Sequence, residues 1–259
     1  MSLRVQRLLV LIAALLCVVV TVSLGNWQLR RADQKQAMAD LAATRHQDAP
    51  LRNADWPCSG AADVASPPEQ RPVRLSGRWM PQKLVYLDNR PMDGQAGFFV
   101  VTPLQLDPAP VCGPAWVMVQ RGWVPRHQAN RQQLPPVDTP HDLVVVTGHV
   151  IKDISQAYAL GAEPRVEAYV ASPLLRQNMG REAWAEWMGV APAPGAVLQA
   201  DSGASNSPAS TSNQLKRAWP APDSGVGKHH AYAAQWFALA LIITGLYVWF
   251  QLLRPRRAS

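Results

Sequence analysis

Residues Ala231 to Leu253 read AYAAQWFALALIITGLYVWFQLL, a run without a formal charge. As a helix this stretch reaches about 34 Å, enough to cross a hydrocarbon core of roughly 30 Å with room for tilt. Trp236 and Phe237 stand near its start, and Tyr247, Trp249 and Phe250 near its end. Amphipathic rings settle in this way at the two headgroup levels of a membrane. A buried helix of a soluble domain seldom stays uncharged for so long.

Near the N-terminus a second run, Leu8 to Leu24, is also free of charge. It gives about 26 Å, the short end of a spanning helix. A cleaved signal peptide shares the pattern of Arg followed by an apolar stretch. Against cleavage, no Ala-x-Ala site follows, and Trp27 sits where an interfacial anchor belongs. Leu15-Leu16-Cys17 also lacks the small residue expected before a lipidated Cys. A retained span is therefore expected. Arg4 and Arg7 precede the first run, and Arg254, Arg256 and Arg257 follow the second. The positive-inside rule then puts both ends in the cytoplasm. The expected organisation is a tail 1–7, a span 8–24, an exported (periplasmic) domain 25–230, a span 231–253 and a tail 254–259.

The chain of 259 residues carries 25 Lys and Arg against 18 Asp and Glu, a formal net charge of +7. Five of those cations sit in the two tails, so the remaining 20 face 18 acidic residues. A near-neutral body offers no extended positive field for phosphates, which argues against nucleic acid. Of three cysteines, Cys17 lies in the first span, while Cys58 and Cys112 lie in the exported segment. A disulfide persists in such a compartment. Whether their Cα atoms approach closely enough is left open by the sequence. No Cys-x-x-Cys occurs, so a thiol oxidoreductase or a thiolate metal site has no support.

Trp27 to about Gln47 has neither Pro nor Gly and is expected to continue as a polar helix. Asn53–Gln70 reads as a loop. Strands are expected at Val73–Trp79, Lys83–Asp88, Gly97–Leu106, Ala115–Val124 and Leu143–Lys152, separated by turn residues such as Met80-Pro81 and Asp93-Gly94. Ser172-Pro173 opens a predicted helix reaching about Met188, with Gly180 as a break. Val197–Asp201 and Leu215–Trp219 are expected to pair across a flexible loop, Ser202–Asn213. The fold class is a membrane α+β protein, with two transmembrane helices flanking a mostly antiparallel β domain that curls toward a barrel.

The search for catalytic motifs is negative: no Gly-x-Ser-x-Gly elbow, phosphate loop, His-Glu-x-x-His or dinucleotide fingerprint occurs. His46, His127, His141 and His149 are scattered and expected to be ordinary solvated or hydrogen-bonded side chains. The start of the second span is more informative. On a helix His229, Tyr232 and Trp236 fall within roughly 60° of one another, and His230 points about 100° away from His229. Neutral imidazole is a good axial ligand for haem iron. An interfacial anchor would use the same residues. At the first span, Gly25 permits close approach of a second helix, and Trp27 and Arg31 suit a membrane surface. In Val117–Arg126, Gly122 marks a bulge or close backbone approach. Arg121 and Arg126 are expected as exposed strand-end charges.

Gly25-Asn26-Trp27-Gln28-Leu29-x-Arg31 resembles the opening signature of the surfeit locus protein 1 family of cytochrome c oxidase assembly factors. Gly77-Arg78-Trp79, and Leu87-Asp88-Asn89-Arg90 through Gly97-Phe98-Phe99-Val100-Val101-Thr102-Pro103-Leu104, are similar to its central strands. Arg121-Gly122-Trp123-Val124-Pro125 resembles its most recognisable internal motif. His229-x-x-Tyr232-x-x-Gln235-Trp236-Phe237 resembles its start of the second span. Gln120 departs from the pattern, standing where relatives often have Asn, and the loops Asn53–Gln70 and Ser202–Asn213 are locally unmatched.

The resemblance implies a bacterial inner-membrane protein that is not an enzyme and promotes maturation of oxidase subunit I at haem a insertion. It implies oxidase subunit I, haem a synthase and the lipid bilayer as partners. The position matching the family's haem-binding histidine is His229, not His230, with Tyr232 and Trp236 beside it and haem a held transiently. A membrane-anchored scaffold that stabilises oxidase subunits without binding haem is the alternative.

Overall fold

The computed structural model describes residues 3–59, 65–127, 130, 133–158, 161, 172–200, 215–219 and 225–254. The chain divides into two units, residues 1–41 with 220–259, and residues 42–219. Its helices are α1 (Leu3–His46), α2 (Arg181–Met188) and α3 (Val226–Val248), the last running on into a π-helical turn, Trp249–Leu253. The Ser202–Asn213 loop and the Arg256-Arg257 tail expected from the sequence lie outside the described residues.

α1 is one continuous helix of 44 residues. At about 66 Å it is twice the hydrocarbon thickness, so the apolar run and the polar stretch after it form a single rod. Leu8, Ile12, Leu15, Leu16 and Val19 on α1, and Leu241, Ile242 and Leu246 on α3, are exposed. Apolar side chains left uncovered around a helix suit lipid rather than a protein core. Among the described residues, these two helices are long and apolar enough to cross a membrane. In sequence they flank a β-rich domain, which makes this a membrane α+β protein.

The strands are β1 (Pro72–Trp79), β2 (Val85–Leu87), β3 (Gly97–Leu106), β4 (Trp116–Pro125), β5 (Val144–Ile151), β6 (Leu174–Arg176) and β7 (Ala196–Gln199). They form one sheet in the order β1-β5-β7-β4-β3-β2-β6, and β1 pairs again with β3. The first five strands of that order therefore close into a ring. β2 and β1 share one edge of β3, through Phe99–Val101 and Leu104–Leu106 respectively. Most pairings are antiparallel; β4–β7 and β2–β6 are parallel.

Alternation along the strands sends Val73, Leu75 and Trp79 of β1, Leu104 and Leu106 of β3, Val117 and Val119 of β4, and Val146 and Val150 of β5 into one core. A second core lies under α2, where Trp184 and Trp187 pack with Val85, Val101, Trp116 and Met118. Cys58 and Cys112 are joined in a disulfide with Cα atoms 5.9 Å apart, which ties the segment before β1 to the β3–β4 connection.

Two expectations are corrected. The helix predicted from Ser172 begins only at Arg181, because Leu174–Arg176 instead adds to β2 as a parallel strand. Among the described residues, Val197 and its neighbours form no ladder with Leu215–Trp219, although the Trp219 indole donates to the Gln199 carbonyl. They insert between β4 and β5, and only Lys216 forms a bridge, to Trp123. In both cases an open sheet edge supplies ladder partners that local sequence does not display.

Candidate functional site

Among the described residues, α1 meets α3 at Gly25 and at Gln28. A Cβ built on Gly25 would lie 2.7 Å from Cε1 of Phe237, so the phenyl ring occupies the space that a side chain at position 25 would need. Three residues along α1, Gln28 Oε1 lies 2.7 Å from His229 Nδ1. Thr21, Gly25 and Ala32 are buried on α1, as are Ala233 and Ala240 on α3. Small residues at such spacings let helix backbones approach.

An amide oxygen can only accept, so the His229 ring donates from Nδ1 and, when neutral, carries its lone pair on Nε2. Its own backbone N–H donates to the Gly225 carbonyl at 3.2 Å, which holds the residue in the first turn of α3. His229 is half-buried and His230 exposed. Tyr232 is 52% exposed, and Trp236 is half-buried. Because α3 is unbroken from Val226 to Val248, these three side chains keep the shared face that helical spacing requires. Trp27 is half exposed, Gln235 is exposed, and Arg31 Nη1 donates to Gln34 Oε1 on the same helix at 3.1 Å.

Arg121, Gly122 and Trp123 belong to the β domain. The β3–β4 register steps from Val100↔Gly122 to Val101↔Gln120, so Arg121 is the extra residue of a β-bulge. It follows Val117 and Val119 toward the core and is 2% exposed. Nη1 donates to Thr139 Oγ1 at 2.7 Å and Nη2 to the Asp138 carbonyl at 2.9 Å, while the guanidinium lies 4.5 Å over the Trp79 ring. Burial, helped by Arg217, pushes its pKa down to about 10, against the pull of Asp138 and Tyr86. The exposed strand-end charge expected at Arg121 is thus a buried cation, and Arg126 is half-covered and paired with Asp88. Gly122 marks a close approach: a Cβ there would lie 2.6 Å from Leu215 Cβ. Trp123 is buried, and its indole donates to the Arg90 carbonyl. Arg90 in turn donates to the carbonyls of Asp88, Ser155 and Gln177. These motif residues knit the sheet to its loops.

His46 and His149, read as scattered, come together with ring centroids 5.6 Å apart. Gln28 is the residue whose role local reading misses, since 201 positions separate it from His229. The signal available was topological: Gln28 lies about a turn after the first apolar run ends, and His229 less than a turn before the second begins.

The family model described as SURF1 family matches residues 15–241. The chain belongs to the SURF1 family. That match takes in both the Gly25–Arg31 stretch of α1 and the His229–Phe237 stretch of α3. The SURF1-like protein of Rickettsia bellii is 28% identical over 138 residues, 52% of this chain and 52% of the relative. Surfeit locus protein 1 of Arabidopsis thaliana is 31% identical over 120 residues, 44% of this chain and 33% of the relative. The cytochrome oxidase assembly protein SHY1 of Saccharomyces cerevisiae is 27% identical over 106 residues, 41% of this chain and 25% of the relative. The chain spans about half the length, or less, of the curated relatives it matches.

Proposed function

We propose that this SURF1-family chain is a non-catalytic assembly factor of cytochrome c oxidase in a bacterial inner membrane. Residues 8–24 and 231–253 span the bilayer, both termini are cytoplasmic, and residues 25–230 are periplasmic. The protein promotes maturation of oxidase subunit I at haem a insertion and works beside haem a synthase. The family membership and the yeast relative's name support the oxidase role. The flanking arginines support the orientation, and the Cys58–Cys112 disulfide supports an oxidising compartment for the domain.

The single observation that carries the haem reading is the 2.7 Å contact of Gln28 with His229. It holds the imidazole so that, when the ring is neutral, Nε2 carries the lone pair at the start of an apolar helix, with Tyr232 and Trp236 on the same face. That donor set fits a macrocycle that is apolar at its faces and takes one nitrogen ligand at its iron. Bound haem would supply an iron atom that accepts the Nε2 lone pair. The chain's part is to orient His229, flank the ring with Tyr232 and Trp236, and release the cargo.

The test is the reduced-minus-oxidised spectrum of membranes from a deletion strain that expresses the native chain, His229→Ala or His230→Ala. Loss of the haem a signal on deletion, with rescue by the native chain and by His230→Ala but not by His229→Ala, is expected. Rescue by all three would retain oxidase assembly and overturn the ligand, favouring a scaffold. A signal untouched by deletion would overturn the oxidase role.

A further inference from the structure

Gln28 makes a charge-neutral, one-acceptor contact to the one imidazole at the start of α3 that is half-buried, and its geometry has a chemical consequence. A histidine that binds a metal through one ring nitrogen needs the proton on the other, and an acceptor at that other nitrogen fixes both tautomer and ring plane. We infer that Gln28 is the positioning residue of this site, holding His229 in the Nδ1–H form through the 2.7 Å contact of its Oε1 so that Nε2 faces outward as the ligand atom. The inference rests on the haem reading for the identity of the cargo. It does not rest on it for the tautomer, which is a property of the chain alone.

The choice of an amide carries its own meaning. A carboxylate at position 28 would be a stronger acceptor and would push the imidazole toward a more basic, tighter ligand. It would also place a charge beside an apolar helix, which is costly. An amide acceptor orients the ring without that push, as suits a cargo that must leave. Gly25 belongs to the same arrangement. Phe237 seated over it fixes α3 against α1 one turn from Gln28, so the acceptor stays within reach.

The experiment uses the full-length protein in detergent, labelled with 15N-histidine, and iron protoporphyrin IX as the probe. The His229 signals are assigned by their loss in His229→Ala. The native protein is expected to show the Nδ1–H tautomer without haem. Gln28→Leu is expected to mix the tautomers and weaken haem binding by about 10- to 100-fold. Gln28→Glu is expected to restore the tautomer, bind haem at least as tightly as the native chain, and shift the iron potential downward. A residue with a merely structural role would not produce that ordered pair of shifts. An Nε2–H tautomer in the native protein, or an unchanged tautomer and affinity in Gln28→Leu, overturns the inference. If the native chain shows the Nδ1–H tautomer, lost in Gln28→Leu, yet binds no haem, the positioning role is supported and the haem reading falls.

Discussion

The indole N–H of Trp123 donates to the carbonyl of Arg90 at 2.7 Å, joining the end of β4 to the connection between β2 and β3. Both residues are buried, so water has little access to the carbonyl if the donor is removed. Trp123→Phe keeps an aromatic ring but strands that acceptor, at a cost of about 1–3 kcal/mol before lost packing is counted. Trp123→Ala adds a cavity and is expected to cost about 3–5 kcal/mol. Urea unfolding of the full chain in detergent, followed by far-ultraviolet dichroism, should give midpoints in the order native, Phe, Ala. A Phe variant as stable as the native chain would show the bond to be dispensable.

Much of the β domain was legible because runs of β-favouring residues are bounded by turn residues. β3 spans the same residues that this reading marks, and β1, β4 and β5 differ only by a residue or so at their ends. Such a run states where a strand lies, not which strand lies alongside. That is why β6 was read as part of a helix and β7, rightly read as a strand, was given the wrong partner: β2 for one and β4 with β5 for the other lie far away in sequence. Arg121 was misjudged for a related reason. Its inward turn depends on the register step against Val100 and Val101, and a bulge is a property of two strands. At the candidate site, the common face of His229, Tyr232 and Trp236 follows from helical spacing alone. The Gln28 contact does not, because it needs two helices brought together.

Reduction of the Cys58–Cys112 disulfide should destabilise the β domain strongly. The bridge closes a loop with a sequence separation of 54, for which the loss of chain entropy in the unfolded state corresponds to about 4 kcal/mol. Cys58→Ser with Cys112→Ser is expected to lower the unfolding free energy of the full chain by that amount, and dithiothreitol should have no further effect on it. A double variant as stable as the native protein would mean that the reduced unfolded state is already compact.

The His46–His149 pair makes the same domain sensitive to acid. Burial, and then the neighbouring His46, hold the His149 pKa below its ordinary 6.5. As pH falls through that value the unfolded chain takes up a proton that the folded chain resists, so stability is retained above it and lost progressively below it. Half-buried Asp153, whose carboxyl is pushed up by burial, works in the opposite sense nearer the carboxylate range. Thermal midpoints measured from about pH 7.5 down to about pH 5.5 should therefore fall in the native chain. The fall should be smaller in His46→Ala, which removes only the charge repulsion, and smallest in His149→Asn. Equal slopes in all three would dismiss the pair as the cause.

Gly25 and Phe237 should be coupled as a pair. The space that a methyl group at position 25 needs is filled by ring carbons of Phe237 at 2.7 and 2.8 Å, closer than real Cβ contacts allow. Gly25→Ala must therefore displace the ring, and a displacement that carries α3 with it moves that helix away from α1. Gln28 lies one turn further along α1, so the same movement lengthens its contact with His229. Gly25→Ala is expected to reproduce part of the His229→Ala defect in the membrane haem a signal, although it touches no ligand atom. Phe237→Ala opens the room that the methyl group requires, so combining the two should recover signal that Gly25→Ala alone loses. The coupling expected for two groups in direct contact is about 0.5–3 kcal/mol. If the double variant is no better than Gly25→Ala, the defect arises from the helix backbone at position 25 and not from the ring above it.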